Sequence, residues 1–455
     1  MSLPPGALYG AESERARRNF ALDYPRVNPR LIRGMALVKK AAALTLGRVF
    51  PGEGEKFRAV AAACDRVLAG EGADQFITSA LQGGAGTSTH MNVNEVLANL
   101  ALIILGKEPG DYGTVHPLDD VNRFQSTNDV YPTALRIAAI GALRELSEEC
   151  ARLQGELQKK ETAWEGIPKL GRTELMDAVP VTLGAEFGAY AQALGRDRWR
   201  LYKVEERLRQ VNLGGAAVGA PWAGAGGAAL FRTYRRGVIE ELRGITGLGL
   251  AAAEYPMDLT QNWDVLVEVS GLLKALGVNL MKIAGDLRLM GSGPRGGLGE
   301  LRLAPLQRGS TIMPGKVNPV IPEMVIQLGI KVQANDAAIG MAAGRGELEL
   351  NAFGPLIADA LLESLGLLRD GCFLFRTKCV EPLEPDPARC GELLDRSWAF
   401  AASYAPLLGY EGVRRIIEET RETRDGEDAP SRIRRALEEA VRAGPGPGGS
   451  PAAQA

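Results

Sequence analysis

Histidine is nearly absent from this chain: 455 residues contain only two, His90 and His116. A metal centre built from several histidines of one chain is therefore not expected. Cysteine is also sparse. The five residues Cys64, Cys150, Cys372, Cys379 and Cys390 form no CxxC pair, and their number is odd. Neither a disulfide framework nor a zinc knuckle is expected, and a reducing compartment fits. No uncharged apolar run approaches the roughly 18 residues that would suggest a membrane span. The stretch from Met1 to Tyr9 lacks the charged-then-apolar layout of a secretion signal. A cytoplasmic protein is expected, with no membrane as partner. Neither sign of charge dominates: 53 Lys and Arg face 55 Asp and Glu, for a net charge of -2. Bulk binding to nucleic acid is thereby disfavoured, while a local cationic pocket for a small anion is not.

The length exceeds that of one ordinary core, so two or three domains are expected. Residues 1–128 read as mixed, with Pro- and Gly-containing turns between short helical stretches such as Leu31 to Leu46. From about Asp129 the pattern changes to long helices. Leu143, Leu146, Cys150, Leu153 and Leu157 step by three and four, as do Leu183, Phe187, Tyr190 and Leu194. Val265, Val269, Leu272, Leu276, Leu280, Ile283 and Leu287 extend the same period over a longer span. Such spacing draws one apolar stripe along a helix. Pro322 to Ala343 and Pro355 to Leu368 are apolar on more than one face, the pattern of buried helices. A helical bundle shared between subunits would bury them. The boundaries expected are an N-terminal mixed domain over 1–128, a central bundle over 129–380, and a small C-terminal domain over 381–455. The final Gly- and Pro-rich stretch from Gly444 is expected to be disordered. No strand–helix alternation supports a doubly wound sheet.

Two nucleotide-like motifs fail on inspection. Gly291, Gly293 and Gly296 fit GxGxxG but follow a helical pattern rather than a strand. Gly309 to Lys316 has one residue too many between its glycines for a P-loop, and Val317 stands where Ser or Thr is required.

Three polar segments remain. Gln125-Ser126-Thr127-Asn128-Asp129 precedes Tyr131-Pro132 and a long helix. It reads as a helix cap, or as a carboxylate site, because a helix N-terminus offers free N–H groups and partial positive charge. Gly83 to Thr89 combines glycines, which admit a ligand close to the backbone, with the hydroxyls of Thr87, Ser88 and Thr89. It reads equally as a turn. Gly309-Ser310-Thr311-Ile312-Met313-Pro314-Gly315-Lys316-Val317-Asn318-Pro319, followed by Glu323, reads as a functional loop leading into a helix.

These segments carry a resemblance. GSTIMPGKVNP resembles the GSSxMPxKxNP pattern of the aspartase/fumarase superfamily. QGGAGTSTHMNVNE, QSTNDVYPT and GRTELMDAVPVTLGAEF are similar to three further blocks of that family, in the same order. NLGGAAVG and SGPRGGLGE add weaker agreement, and the likeness runs from about Leu8 to the low 400s. It implies a mainly α, three-domain aspartase/fumarase fold with a central long-helix bundle and a twenty-helix core in the tetramer. It also implies a homotetramer whose active sites are each shared by three subunits. The implied reaction is a reversible anti-elimination from a succinyl skeleton to give fumarate, with no cofactor and no metal.

Proton removal beside a carboxylate makes an enediolate, so the site must supply a placed base and strong anion stabilisation. By the resemblance Ser310 is the base. Thr173, Lys316 and Asn318 hold the carboxylate on the carbon that bears the leaving group. Thr87, Ser126, Thr127 and Thr311 hold the carboxylate that becomes the enediolate, and Asn128 lies near the leaving group. Fumarases carry His after the Thr of the GRT block and aspartases His or Gln; this chain has Glu174. The fumarase His pairs with a Glu whose position here is Glu323, in a supporting role. Two carboxylates facing one site favour a cation between them. An amine leaving group is such a cation, so L-aspartate is the expected substrate. A hydratase, a lyase of an N-substituted aspartate and a non-catalytic relative are the alternatives. Other departures are His90 for a common Asn, Met176 for a common Gln, and Val218-Gly219-Ala220-Pro221-Trp222-Ala223 where the family usually has GTGxN.

Overall fold

The computed structural model describes residues 3–220, 228–420 and 428–443. Pro221, Trp222 and the stretch from Gly444 onward lie outside the described residues. The chain divides into two compact units. The first comprises residues 1–150, 196–280 and 327–372; the second comprises 151–195, 281–326 and 373–455.

The first unit opens with four helices: α1 (Ala11–Asn19), α2 (Pro29–Val49), α3 (Gly54–Leu68) and α4 (Thr87–Ile104). The Leu31 to Leu46 stretch is thus part of a helix of 21 residues. Its start is set locally: the Asn28 side chain accepts from Arg30 N at 3.0 Å, and Pro29 fills a first-turn position that needs no N–H. α2 packs on α3 and α7 (Ala228–Thr246), and α4 packs on α1 and α3.

Five long helices carry the centre of the chain: α5 (Thr127–Ala163), α6 (Leu183–Leu208), α9 (Asp264–Met290), α10 (Val320–Ala343) and α11 (Gly354–Phe375). α8 (Pro256–Gln261) precedes α9. The α5 stripe is buried as its spacing requires, with Leu143, Leu146, Cys150, Leu153 and Leu157 all within the core. On α9 the stripe differs by one residue at its start. Leu266 and Leu273 are buried, while Val265 and Leu272 are half-buried. The helix is apolar at both members of each pair, so the period alone cannot choose between them. Apolar side chains also remain exposed on these helices, among them Ile330 (54%) and Met341 (69%) of α10 and Val278 (47%) of α9.

Sheet is minor among the described residues. β1 (Pro168–Thr173) and β2 (Met176–Thr182) form an antiparallel hairpin in the second unit. β3 (Gln210–Val211) pairs with β4 (Ala251–Ala252), and β5 (Leu301–Arg302) with β6 (Glu384–Pro385). The second unit ends in α12 (Pro387–Asp395), α13 (Ala405–Leu408), α14 (Tyr410–Thr420) and α15 (Ala429–Ala443). Ala401, Val413, Ile433 and Leu437 make a small core of their own there. No helix among the described residues is long and apolar enough to cross a membrane.

Candidate active site

The first unit holds a cavity of about 610 Å³. Its walls include Thr87, His90, Asn122, Gln125, Ser126, Thr127 and the Ala216–Val218 turn. The first turns of α4 and α5 thus meet at one cavity. At α4 the chain turns on Gly86, whose φ is +91°. A Cβ there would lie 2.3 Å from the Tyr131 ring, so only glycine fits.

At α5 the cap is reciprocal. Ser126 Oγ accepts from Asn128 N at 3.2 Å, and Asp129 Oδ1 accepts from Ser126 N at 2.9 Å. That is a capping box with Asp in the acidic position. Asp129 Oδ2 also accepts from Gly214 N and Ala216 N, both at 3.0 Å, and so ties the NLGGAAVG turn to the helix. Pro132 lies in the second turn and lacks the N–H that the Asn128 carbonyl would otherwise receive. Asn212 Nδ2 donates to that carbonyl instead, at 2.9 Å. The Asn128 side chain donates to Ala217 O at 2.8 Å. The segment is therefore a helix cap, and its Gln125, Ser126 and Thr127 also wall the cavity.

Beneath the cavity lies a charge that motif reading passed over. Lys39 of α2 is fully buried and donates to Asn122 Oδ1 at 2.8 Å. Burial pulls its ammonium down to about 7, against the attraction of Asp129. Burial likewise pushes Asp129 up to about 7, against three backbone N–H donors and Lys39. His90 is 2% exposed, and its Nδ1 lies 2.9 Å from Thr127 Oγ1. Burial first, and the Lys39 charge second, hold its imidazole well below the usual histidine range, so the ring is neutral.

The second unit holds the Ser310 segment. Its loop from Pro305 to Val317 curls around a cavity of about 660 Å³. Gly309 N donates to Lys316 O at 3.1 Å, and Asn318 Nδ2 to Gly309 O at 2.7 Å, so the loop closes on itself before α10. A Cβ at Gly309 would meet Lys316 O at 2.1 Å. Ser310 Oγ accepts from Ile312 N at 3.2 Å and Met313 N at 3.0 Å. Thr311 and Lys316 are exposed. Glu323, in the first turn of α10, pairs with Arg288 at 3.4 Å.

Thr173 and Glu174 stand at the tip of the β1–β2 hairpin, also in the second unit, and do not line the loop's cavity. The two-residue turn is Glu174-Leu175, with φ +54° and +65°. Neither residue is glycine or asparagine, and each such conformation costs about 1–3 kcal/mol. The hairpin's base is rigid enough to impose it. Buried Lys169 bonds both Glu186 oxygens at 2.9 Å and ion-pairs with Glu300 at 2.9 Å, and Arg172 holds Glu300 at 2.8 Å. Glu174 has no hydrogen bond or ion pair among the described residues, and it is exposed beside Leu175 (73%) and Met176 (70%).

The comparisons with known proteins define the class: residues 2–334 match the lyase family, and the chain belongs to it. It is 40% identical over 446 residues to an aspartate ammonia-lyase of Pseudomonas aeruginosa, covering 97% of this chain and 93% of that protein. A crystal structure described as fumarate lyase:delta crystallin from Brucella melitensis superposes with a TM-score of 0.87 at 41% identity, covering 95% and 96% of the two chains. A class II fumarase from Schistosoma mansoni gives a TM-score of 0.88 at 28% identity, covering 96% and 93%. The mainly α architecture expected from the motifs is the one observed.

Proposed function

We propose that this protein is an aspartate ammonia-lyase that converts L-aspartate to fumarate and ammonia. The observation that carries the reading is the environment of Ser310, whose Oγ accepts two backbone N–H groups of its own loop. Donors so placed stabilise a serine oxyanion and make a weak base usable. Ser310 takes a proton from C3 of aspartate. The electron pair moves into the adjacent carboxylate as an enediolate. It then returns to form the C2–C3 double bond as the C2–N bond breaks and ammonia leaves.

The other roles are those that the resemblance implies. Thr87, Ser126 and Thr127 hold the carboxylate that becomes the enediolate, aided by the α4 and α5 N-termini and by Thr311. Lys316, Asn318 and Thr173 hold the other carboxylate, and Asn128 lies near the amine. Glu174 reads the ammonium, since its charge is unmatched among the described residues while that of Glu323 is met by Arg288. Identity of 40% to an ammonia-lyase against 28% to a fumarase supports nitrogen rather than oxygen as the leaving atom.

The active form is a homotetramer whose sites draw residues from three copies. Exposed Ile330, Met341, Leu175 and Met176 are apolar surface that such an assembly would cover. A three-domain division at about 128 and 380 belongs to the same reading. Absorbance at the fumarate band tests the activity. It should rise with L-aspartate and stay flat with L-malate. A rise with malate alone would make the enzyme a hydratase, and silence with both would point to a substituted aspartate.

A further inference from the structure

We infer that His90 is a positioning residue: a neutral imidazole that donates its Nδ1–H to Thr127 Oγ1 and thereby turns the Thr127 hydroxyl proton toward a substrate carboxylate. The inference rests on the reading of the first-unit cavity as a carboxylate site, and it concerns a residue at which this chain departs from its relatives' common Asn.

The argument starts from hydrogen-bond accounting. Nδ1 and Thr127 Oγ1 are 2.9 Å apart, and two neutral tautomers could make that contact. In one, Thr127 gives its proton to Nδ1 and the ring carries its hydrogen on Nε2. In the other, Nδ1–H donates and Nε2 is a bare lone pair. Nε2 is buried and has no partner among the described residues. A buried N–H without an acceptor is rare in native folds, and an unmatched acceptor is better tolerated. The second tautomer is therefore favoured. Its consequence is chemical. A carboxylate in the cavity needs donors, and the first tautomer would spend the Thr127 proton on the ring. The second leaves that proton free and occupies one of the oxygen's two lone pairs, which orients the hydroxyl. The ring stays uncharged because it is buried and shares its surroundings with the Lys39 ammonium. Asparagine at this position carries an amide nitrogen at the same place along the side chain as Nδ1, so it can make the same donation.

Only two histidines exist, which makes the test direct. His116 Nδ1 accepts from Leu118 N at 3.2 Å and Asp119 N at 3.1 Å, so its neutral ring carries hydrogen on Nε2. Nitrogen-15 spectra of the unmodified protein at pH 8 should show one histidine of each tautomer, with His116→Asn identifying the second signal. Two Nε2–H rings would overturn the inference without any change at His90. Succinate binding supplies the functional half. His90→Leu should weaken succinate about tenfold, the scale of one lost hydrogen bond to a charged group, while His90→Asn stays within about threefold of wild type. Thr127→Val should lose about as much as His90→Leu, and the double variant no more. Equal losses for Leu and Asn, or additive losses in the double variant, would contradict the positioning role. If the unmodified protein does not bind succinate, the carboxylate reading of the cavity fails, and the tautomer result then stands apart as a fact about the fold.

Discussion

The cavity at the α4 and α5 N-termini and the Ser310 loop are built in opposite ways. The cavity is fixed from behind. Asp129 spends both oxygens on three backbone N–H groups, Lys39 is buried beneath it, His90 is buried in its wall, and Gly86 is locked against Tyr131. Among the described residues, the loop's hydrogen bonds are to itself. Asn318 spends its amide on Gly309 O, Ser310 accepts from its own neighbours, and Thr311 and Lys316 project into solvent. On the proposed reading, the first region is a receptor shaped before its ligand arrives. The second would carry the proposed base on exposed backbone, the kind of segment drawn from the low-stability end of a fold.

That comparison can be broken from either side. The largest effect is expected in the loop: Ser310→Ala should lower turnover of L-aspartate by about 10²–10⁴-fold, the contribution of a placed general base, with the circular dichroism unchanged. Turnover within a few-fold of wild type would remove Ser310 as the base. On the cavity side, Asp129→Ala leaves three N–H groups without their acceptor. It should cost about 3 kcal/mol or more of stability, read as a lowered thermal midpoint, and empty the site of its shape. A variant as stable as wild type would show that the cavity is not held from behind. Glu174→Gln should weaken aspartate about tenfold and leave succinate nearly unaffected, because only aspartate brings an ammonium. Equal weakening of both would sink the amine-reading role. The smallest effect is dynamic. Backbone amides of residues 309–317 should exchange with solvent faster than those of the first α5 turns, and succinate should slow the loop more than the cavity. Equal protection in both would erase the contrast.

The two regions were also unequally legible. The Ser310 loop is a continuous run of residues, so its motif was visible in sequence order. The α5 cap was readable for the same reason, since Ser126 and Asp129 are three residues apart. The support beneath it was not. His90 meets Thr127 across 37 positions and Lys39 meets Asn122 across 83, and no local pattern encodes such contacts. No local pattern marks Lys39, next to Lys40, as buried; the packing of α2 into the core makes it so. Glu174 was visible as a departure from the motif, but its positive φ at the tip of a braced hairpin was not. On α9 the ambiguity was physical, since neighbouring positions are both apolar and the core had to choose Leu266 and Leu273 over Val265 and Leu272.

The most direct test of the account runs the reaction backwards in deuterium oxide. Fumarate and ammonium should yield L-aspartate with one deuterium at C3, in the single configuration left by anti addition, and Ser310→Ala should yield almost none. Deuterium distributed over both C3 positions, or an unchanged rate in Ser310→Ala, would contradict elimination by one placed serine base.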